Sequence, residues 1–282
     1  MPVAVVTDST AYLPVELAER YQTTVVPLVV VVDGVEGMED WDAMPGQVAA
    51  ALRSRGARVS TSRPAPEQFA AAYRRLLDAG ANGVVSIHLS ARLSATWESA
   101  RLAAKQVGPS ITVVDARSIA MGLGFPVLAA AKAAQSGADP AGVRDAALAT
   151  VERTQTFFCV DTLEYLRRGG RLAMAPALVG TALSVKPILQ VANGAIVPRD
   201  KVRTASRALD RLVDLAVDAA GESDVDVAVH HLDTPEVATR IDRLLVDRLG
   251  DRLRDRYLTR VGAATAAHTG PGVTGIVVHR RR

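Results

Sequence analysis

Gly83-Val84-Val85-Ser86-Ile87 and, one residue later, Leu89-Ser90-Ala91-Arg92-Leu93-Ser94-Ala95-Thr96-Trp97-Glu98-Ser99-Ala100 form the stretch on which the fold turns. The first run is short, apolar and rich in β-branched residues, the pattern of a buried strand. From Trp97 to Val107 the alanine-rich sequence carries a helical pattern. Four hydroxyls, on Ser90, Ser94, Thr96 and Ser99, therefore stand where a strand ends and a helix begins. The first N–H groups of a helix lack intrahelical partners, and its dipole is positive there. Two readings fit these residues. The hydroxyls cap the helix, with Ser94 as N-cap and Glu98 near the first turn, or they hold an anion such as a carboxylate or phosphate.

Outward from this junction, strand-like and helix-like segments alternate. Val3–Val6 reads as a first strand ending in Thr7-Asp8-Ser9-Thr10, and Pro14–Tyr21 as a helix opened by proline. Val25–Val32 reads as one further strand, and Pro45–Arg53 as a helix. Val59–Ser62 is a short extended piece stopped before Pro64. Pro66–Leu77 is an amphipathic helix, Ile111–Val114 a strand delivering Asp115, and Ser118–Gln135 and Pro140–Arg153 two more helices. This alternation predicts a parallel sheet covered by helices, with ligands collecting at the carboxyl ends of its strands.

The second half reads differently. Thr162–Arg167 and the segment near Pro176–Leu183 are helical, and Asn193-Gly194 between Val185–Val191 and Ala195–Val197 is a strong hairpin signal. A long helix from Thr204 to Ala219 precedes a Val-rich strand, Val225–His230. Another helix opens at Pro235 and runs to about Leu249, and Asp255–Val261 and Val273–His279 close the chain as strands, with His268 in the loop between them. The predicted class is α/β with two domains: an N-terminal parallel-sheet domain over residues 1–155 and a C-terminal α+β domain with a mixed sheet over 156–282.

Composition narrows the function. The chain has 282 residues, of which 49% are hydrophobic and only 4% aromatic, so Ala, Val and Leu carry a packed core. Lys and Arg number 33 against 30 Asp and Glu, and the net charge of +3 supports no nucleic-acid role. Arg280-Arg281-Arg282 reads as a solvated tail. The single cysteine, Cys159, lies in an apolar run and excludes an internal disulfide. The start of the chain lacks a signal-peptide pattern and no apolar run is long enough to span a bilayer, which predicts a cytoplasmic protein.

Other polar clusters are individually ambiguous. Ser60-Thr61-Ser62-Arg63-Pro64 fits either helix entry or a binding loop, and His268 sits beside two glycines that permit close approach of a ligand. Arg171 follows two glycines, and Lys201 and Arg203 precede a helix, where simple exposure and anion contact both fit. His230 and His231 end a strand with their rings on opposite faces.

In combination these motifs resemble the DegV family of bacterial fatty-acid-binding proteins over nearly the whole chain. Asp8-Ser9-Thr10-Ala11 with Leu13-Pro14 is similar to the family's opening motif, Thr61-Ser62-Arg63-Pro64 to its T-S-Q-P, and Leu89–Ala100 to its long serine-rich motif. Thr162–Leu166 with Gly169-Gly170-Arg171, Lys186-Pro187-Ile188, Lys201 with Arg203, and His268 with Gly270-Pro271-Gly272 follow in family order. The resemblance implies one long-chain fatty acid in a tunnel between or through the two domains. Thr61, Ser94 and His268, as an imidazolium, would hold the carboxylate, with Ser62 close by. Arg171 and Arg203 would face a phosphate or a separate ATP-binding kinase subunit that makes the acyl phosphate for phospholipid synthesis. The chain would then be non-catalytic on its own, with the fatty acid as ligand, no other cofactor or metal, and at most transient membrane contact. Arg63, Ala95 and Trp97 replace the family's usual glutamine, glycine and tyrosine and bear on selectivity. Two alternatives stand beside this reading. One is a serine-dependent acyl hydrolase using Ser94, His268 and Asp8 or Asp115. The other is a binding module for a smaller anion.

Overall fold

Valine-rich strands separated by amphipathic helices build the first half of the molecule. The computed structural model describes residues 3–39, 44–54, 57–172 and 185–281. In chain order the first half runs β1 (Ala4–Asp8), α1 (Val15–Arg20), β2 (Thr24–Val26), β3 (Val29–Val32), β4 (Val35–Met38), α2 (Pro45–Arg53), β5 (Val59–Ser62), α3 (Pro66–Asp78), β6 (Val84–His88), α4 (Thr96–Val107), β7 (Ile111–Asp115), α5 (Met121–Gln135) and α6 (Pro140–Val151). The second half runs β8 (Thr154–Cys159), α7 (Glu164–Arg168), β9 (Lys186–Ala192), β10 (Ala195–Val202), α8 (Ala205–Ala220), β11 (Val225–His231), α9 (Pro235–Leu249), β12 (Leu253–Arg260), α10 (Ala263–Thr269) and β13 (Thr274–Arg280). The helix expected near Pro176–Leu183 lies outside the described residues.

The fold is α/β. Four strands form a parallel sheet in the order β2-β1-β6-β7, and six form a mixed sheet in the order β10-β9-β8-β13-β11-β12. In the mixed sheet β11 and β12 run parallel and the other neighbours antiparallel. Helix α5 is apolar on nearly every side, as a helix buried all round must be, and it packs against β1 and β6 of one sheet and β8 and β13 of the other. One hydrophobic cluster joins Val5 and Ile87 to Leu189 and Val191, so a single core spans both sheets. The expected division at 155/156 falls inside β8. Asn193 and Gly194 have φ of 49° and 79°, the left-handed conformations that a two-residue hairpin turn needs.

A third, antiparallel sheet, β4-β3-β5, departs from the sequence reading, in which Val25–Val32 was a single strand. Pro27 breaks it, because proline cannot donate to a sheet ladder. β2 stays with β1, whereas β3 leaves to pair with β4 and β5. The freed backbone is satisfied locally: Leu28 N–H donates to Ser9 Oγ at 3.0 Å, and Leu28 O accepts from Glu39 N–H at 2.9 Å. The chain end also differs from expectation. Arg280 closes β13, and Arg281 pairs with Asp226 at 2.6 Å and Asp255 at 2.7 Å.

A buried polar chain fixes the carboxyl ends of β1 and β6. Asp8, fully buried, accepts from Thr10 N–H, Thr10 Oγ, Leu89 N–H and His88 Nδ1. A carboxylate only accepts, so His88 Nδ1 donates to it; His88 Nε2 lies 2.7 Å from Ser86 Oγ, which accepts from Tyr73 at 2.8 Å. Burial raises the Tyr73 phenol above its ordinary value, which keeps its proton in place. Thr10 and Leu89, both bound to Asp8, reach from here to the wall of a cavity.

Candidate functional site

β5 pairs antiparallel with β3, Thr61 opposite Val30. Successive strand residues point to opposite faces, so Thr61 turns inward while Ser62 is exposed, its hydroxyl 3.4 Å from Arg63 O. Ser94 stands in the turn after β6. It is not the N-cap of α4, a position taken by Ala95, because the Leu89–Ser94 segment closes as a turn of its own with Ser94 N–H on Ser90 O. Its hydroxyl still accepts weakly from Thr96 N–H at 3.3 Å and shares a hydrogen bond with Thr96 Oγ1 at 2.9 Å. Ser90 donates to Gly194 O at 2.7 Å and thereby ties this turn to the β9–β10 hairpin.

His268 lies in the last turn of α10 rather than in a loop. Gly262 and Gly270 bound that helix, and its alanine-rich sequence, Ala263-Ala264-Thr265-Ala266-Ala267, favours it. The His268 Nε2 atom is 2.7 Å from Thr61 Oγ1. Arg171, just beyond α7, donates from Nε to Leu93 O at 3.0 Å, beside Ser94, and from Nη1 to Gly169 O. Burial, with the Arg171 guanidinium as the smaller cause, lowers the His268 pKa to about 4. This favours the neutral ring at pH 7 in the ligand-free protein; the imidazolium expected from the sequence belongs to the state with a carboxylate bound.

Thr61, Ser94, Arg171 and His268 share the wall of one cavity that is partly open to solvent. Its remaining wall is mostly aliphatic and aromatic: Leu28, Leu89, Leu93, Ile119 and Ala120 from connecting segments of the first half, and Phe157, Phe158, Ile196, Ile276 and Val277 from the mixed sheet. Polar wall residues away from the Thr61–His268 pair are engaged within the protein. Thr10 bonds Asp8, Thr156 bonds Ser118, and Thr265 bonds Tyr12. His230 accepts from Met121 N–H through Nε2 and shares its Nδ1 proton with Thr259 at 2.6 Å. Burial pushes its pKa down to about 3, so it adds no charge to the wall at pH 7. Its neighbour His231 faces the other way and accepts from Thr234 N–H.

Not every residue singled out from the sequence comes to the cavity. Ser62 and Arg203 are absent from its described lining, and Arg203 is exposed just past β10. Lys201 is also exposed, and Lys186 pairs with Asp161 at 2.6 Å. Cys159 is buried and its thiol pushed up to about 12, by burial and then by Asp161, which leaves it unreactive. Two residues passed over in the sequence, Tyr12 and Glu39, lie directly against α10. Nothing in the local pattern Val35-Glu36-Gly37-Met38-Glu39 distinguishes Glu39 from a solvated acid.

Gly169 explains one of the paired glycines before Arg171. A Cβ there would lie 2.5 Å from His268 Nδ1, although its φ of −72° suits any residue. Gly169→Ala should therefore leave the backbone unstrained but push the imidazole from Thr61. The expected result is displaced His268 ring signals at nearly unchanged melting temperature, read by nuclear magnetic resonance and calorimetry. Ring signals equal to wild type would show that Gly169 does not set the ring position.

Fold and site together define a class: an α/β protein with a largely apolar cavity against its mixed sheet and a cluster of hydroxyls, an imidazole and a guanidinium in its wall. The chain belongs to the DegV family, whose model, described as an uncharacterised protein family, matches residues 2–281. A DegV domain-containing protein of Streptomyces coelicolor is 49% identical over 286 residues, covering 99% of each chain. Among solved structures, a DegV family protein from Thermus thermophilus, described by its fatty acid binding, superposes with a TM-score of 0.93 at 31% identity over 100% of both chains. DegV from Bacillus subtilis, described as a fatty acid binding protein, gives 0.89 at 32% identity, again over 100% of both.

Proposed function

We propose that this chain binds one long-chain fatty acid, with its carboxylate against Thr61, Ser94 and His268 and its acyl chain along the apolar wall. The observation that carries the reading is the single cavity that joins this polar cluster to walls whose other polar groups are already engaged. A buried carboxylate needs donors to replace water, and the hydroxyls of Thr61 and Ser94, the His268 ring and the Arg171 guanidinium offer them. Each methylene taken from water adds ~0.8 kcal/mol, so a long chain is favoured over a short one. The related proteins described as fatty acid binding support the assignment.

Arg171, already at the cavity wall, is the cation suited to an incoming phosphoryl group, which extends the proposal to presentation of the carboxylate to a separate ATP-dependent kinase. Arg203, outside the cavity, belongs in this reading to the surface that meets such a partner in the cytoplasm. The hydrolase alternative loses support from the hydrogen bonds. His268 Nε2 faces Thr61 rather than Ser94, Asp8 serves His88, and Asp115 accepts from the Ala91 and Arg117 N–H groups. The apolar wall likewise favours an acyl chain over a small polar anion.

The test is direct. Purified protein is denatured and extracted into organic solvent, and released lipids are identified by mass spectrometry. A near-stoichiometric fatty acid is the expected result. A blank extract, together with no uptake of added palmitate by the native protein, overturns the proposal.

A further inference from the structure

Glu39 follows β4 and is 1% exposed, an expensive place for a carboxylate. Its surroundings show what it does there. Oε1 accepts the Ala264 N–H at 2.7 Å, and Oε2 accepts from Ser9 Oγ. The Tyr12 hydroxyl lies 3.3 Å from Oε1 and 2.5 Å from Thr265 Oγ1, so it bridges the carboxylate to the next residue of α10. Gly262 seals the contact: a Cβ there would lie 2.3 Å from Glu39 Oε1 and 2.6 Å from Tyr12 Cε1. The start of α10 thus rests directly on the Glu39–Tyr12 pair.

Ala264 and His268 are four residues apart on one short helix, one turn along the same face. A shift at Ala264 is therefore carried to the imidazole, which meets Thr61 on β5, a strand in the same small sheet as β4. We propose that Glu39 is a positioning residue of the carboxylate site, holding α10 so that His268 faces Thr61 at the cavity wall. This rests on the fatty-acid reading above for its functional consequence, but the placement of His268 by Glu39 stands on the ligand-free geometry.

A carboxylate suits the task better than an amide because it offers only acceptors to several converging donors. An amide in the same place would keep one oxygen for the Ala264 N–H and turn an NH₂ toward Ser9. That difference sets the test. The full-length protein, freed of lipid, is prepared as wild type, Glu39→Ala, Glu39→Gln and Tyr12→Phe, with ¹⁵N-labelled histidine and ¹⁴C-palmitate as probes. Glu39→Ala should move the His268 ring signals and weaken palmitate binding by roughly tenfold or more. Glu39→Gln should bring both most of the way back, and Tyr12→Phe should move the ring signals by a smaller amount.

A Glu39→Ala protein that is merely less heat-stable, with His268 signals and palmitate affinity unchanged, overturns the proposal. Should Glu39→Ala fail to fold, unchanged ring signals in Tyr12→Phe overturn it equally. If wild type itself takes up no palmitate, the fatty-acid reading falls, while the ring signals of the ligand-free variants still decide whether Glu39 places His268.

Discussion

Replacing His268 by Ala is expected to weaken fatty-acid binding by roughly 10- to 100-fold, the loss of one charge-assisted hydrogen bond worth ~1.5–3 kcal/mol. His268 is the one imidazole bonded to Thr61, and it closes the polar cluster from the side of α10. Its removal takes a donor from the carboxylate and leaves Thr61 Oγ1 without its partner. The fold should survive, because the ring lines a cavity and its removal deletes no residue of the central hydrophobic cluster. Titration of delipidated protein with labelled palmitate, alongside far-UV circular dichroism, reads both outcomes. Ser94→Ala should have a smaller effect, since Thr96 Oγ1 lies 2.9 Å from Ser94 Oγ and remains near the head group. Wild-type affinity in both variants would refute the assignment of these residues to the carboxylate.

Unfolding should become markedly easier as pH falls from about 6.5 toward 4. Burial lowers the pKa of His268 and of His279 to about 4 and that of His230 to about 3, against 6.5 for an exposed ring. Above pH 6.5 these rings are neutral in both states and contribute no pH dependence. Between 6.5 and the folded values only the unfolded chain takes up their protons, which favours unfolding. Stability is thus full above the unfolded pKa and lost as pH drops through the folded one. For His268 and His230 together, the loss by pH 4 is on the order of 5 kcal/mol. Urea unfolding at pH 7.5 and pH 4.5 measures it, and equal midpoints would contradict the buried-histidine account. A carboxylate bound beside His268 favours its charged form, so lipid-loaded protein should lose less stability over the same interval.

Much of the architecture was readable where a residue's chemistry acts locally. The Asn193-Gly194 turn needs left-handed backbone, which those two residues supply. Val84–His88, Ile111–Asp115 and Val225–His231 are runs whose apolar character leaves little choice but a buried strand. The errors have equally specific causes. Val25–Val32 looks uniformly strand-like, and only the competition between β1 and the small sheet determined that Pro27 would divide it. His268 looked like a loop residue because Gly270-Pro271-Gly272 dominates the local pattern and hides a seven-residue helix before it.

The site divides along the same line. Thr61, Ser94, Arg171 and His268 could be picked out because hydroxyls and cations beside turns and glycines are suited to an anion, and their shared resemblance to one family joined them. Ser62 looked equivalent to Thr61, yet the two-residue period of β5 sends it to the outer face. Tyr12 and Glu39 carried no signal at all, since each reads like a solvated residue until its partner on α10 arrives, Thr265 253 residues from Tyr12 and Ala264 225 residues from Glu39. By itself, then, the sequence determined the alternation of strands and helices, the hairpin, the apolar core and the residue types able to hold a carboxylate. The tertiary structure alone decided which of those residues face the cavity, that burial favours a neutral His268 there, and what holds α10 in place. These depend on burial and long-range hydrogen bonds, and both exist only once distant segments have packed together.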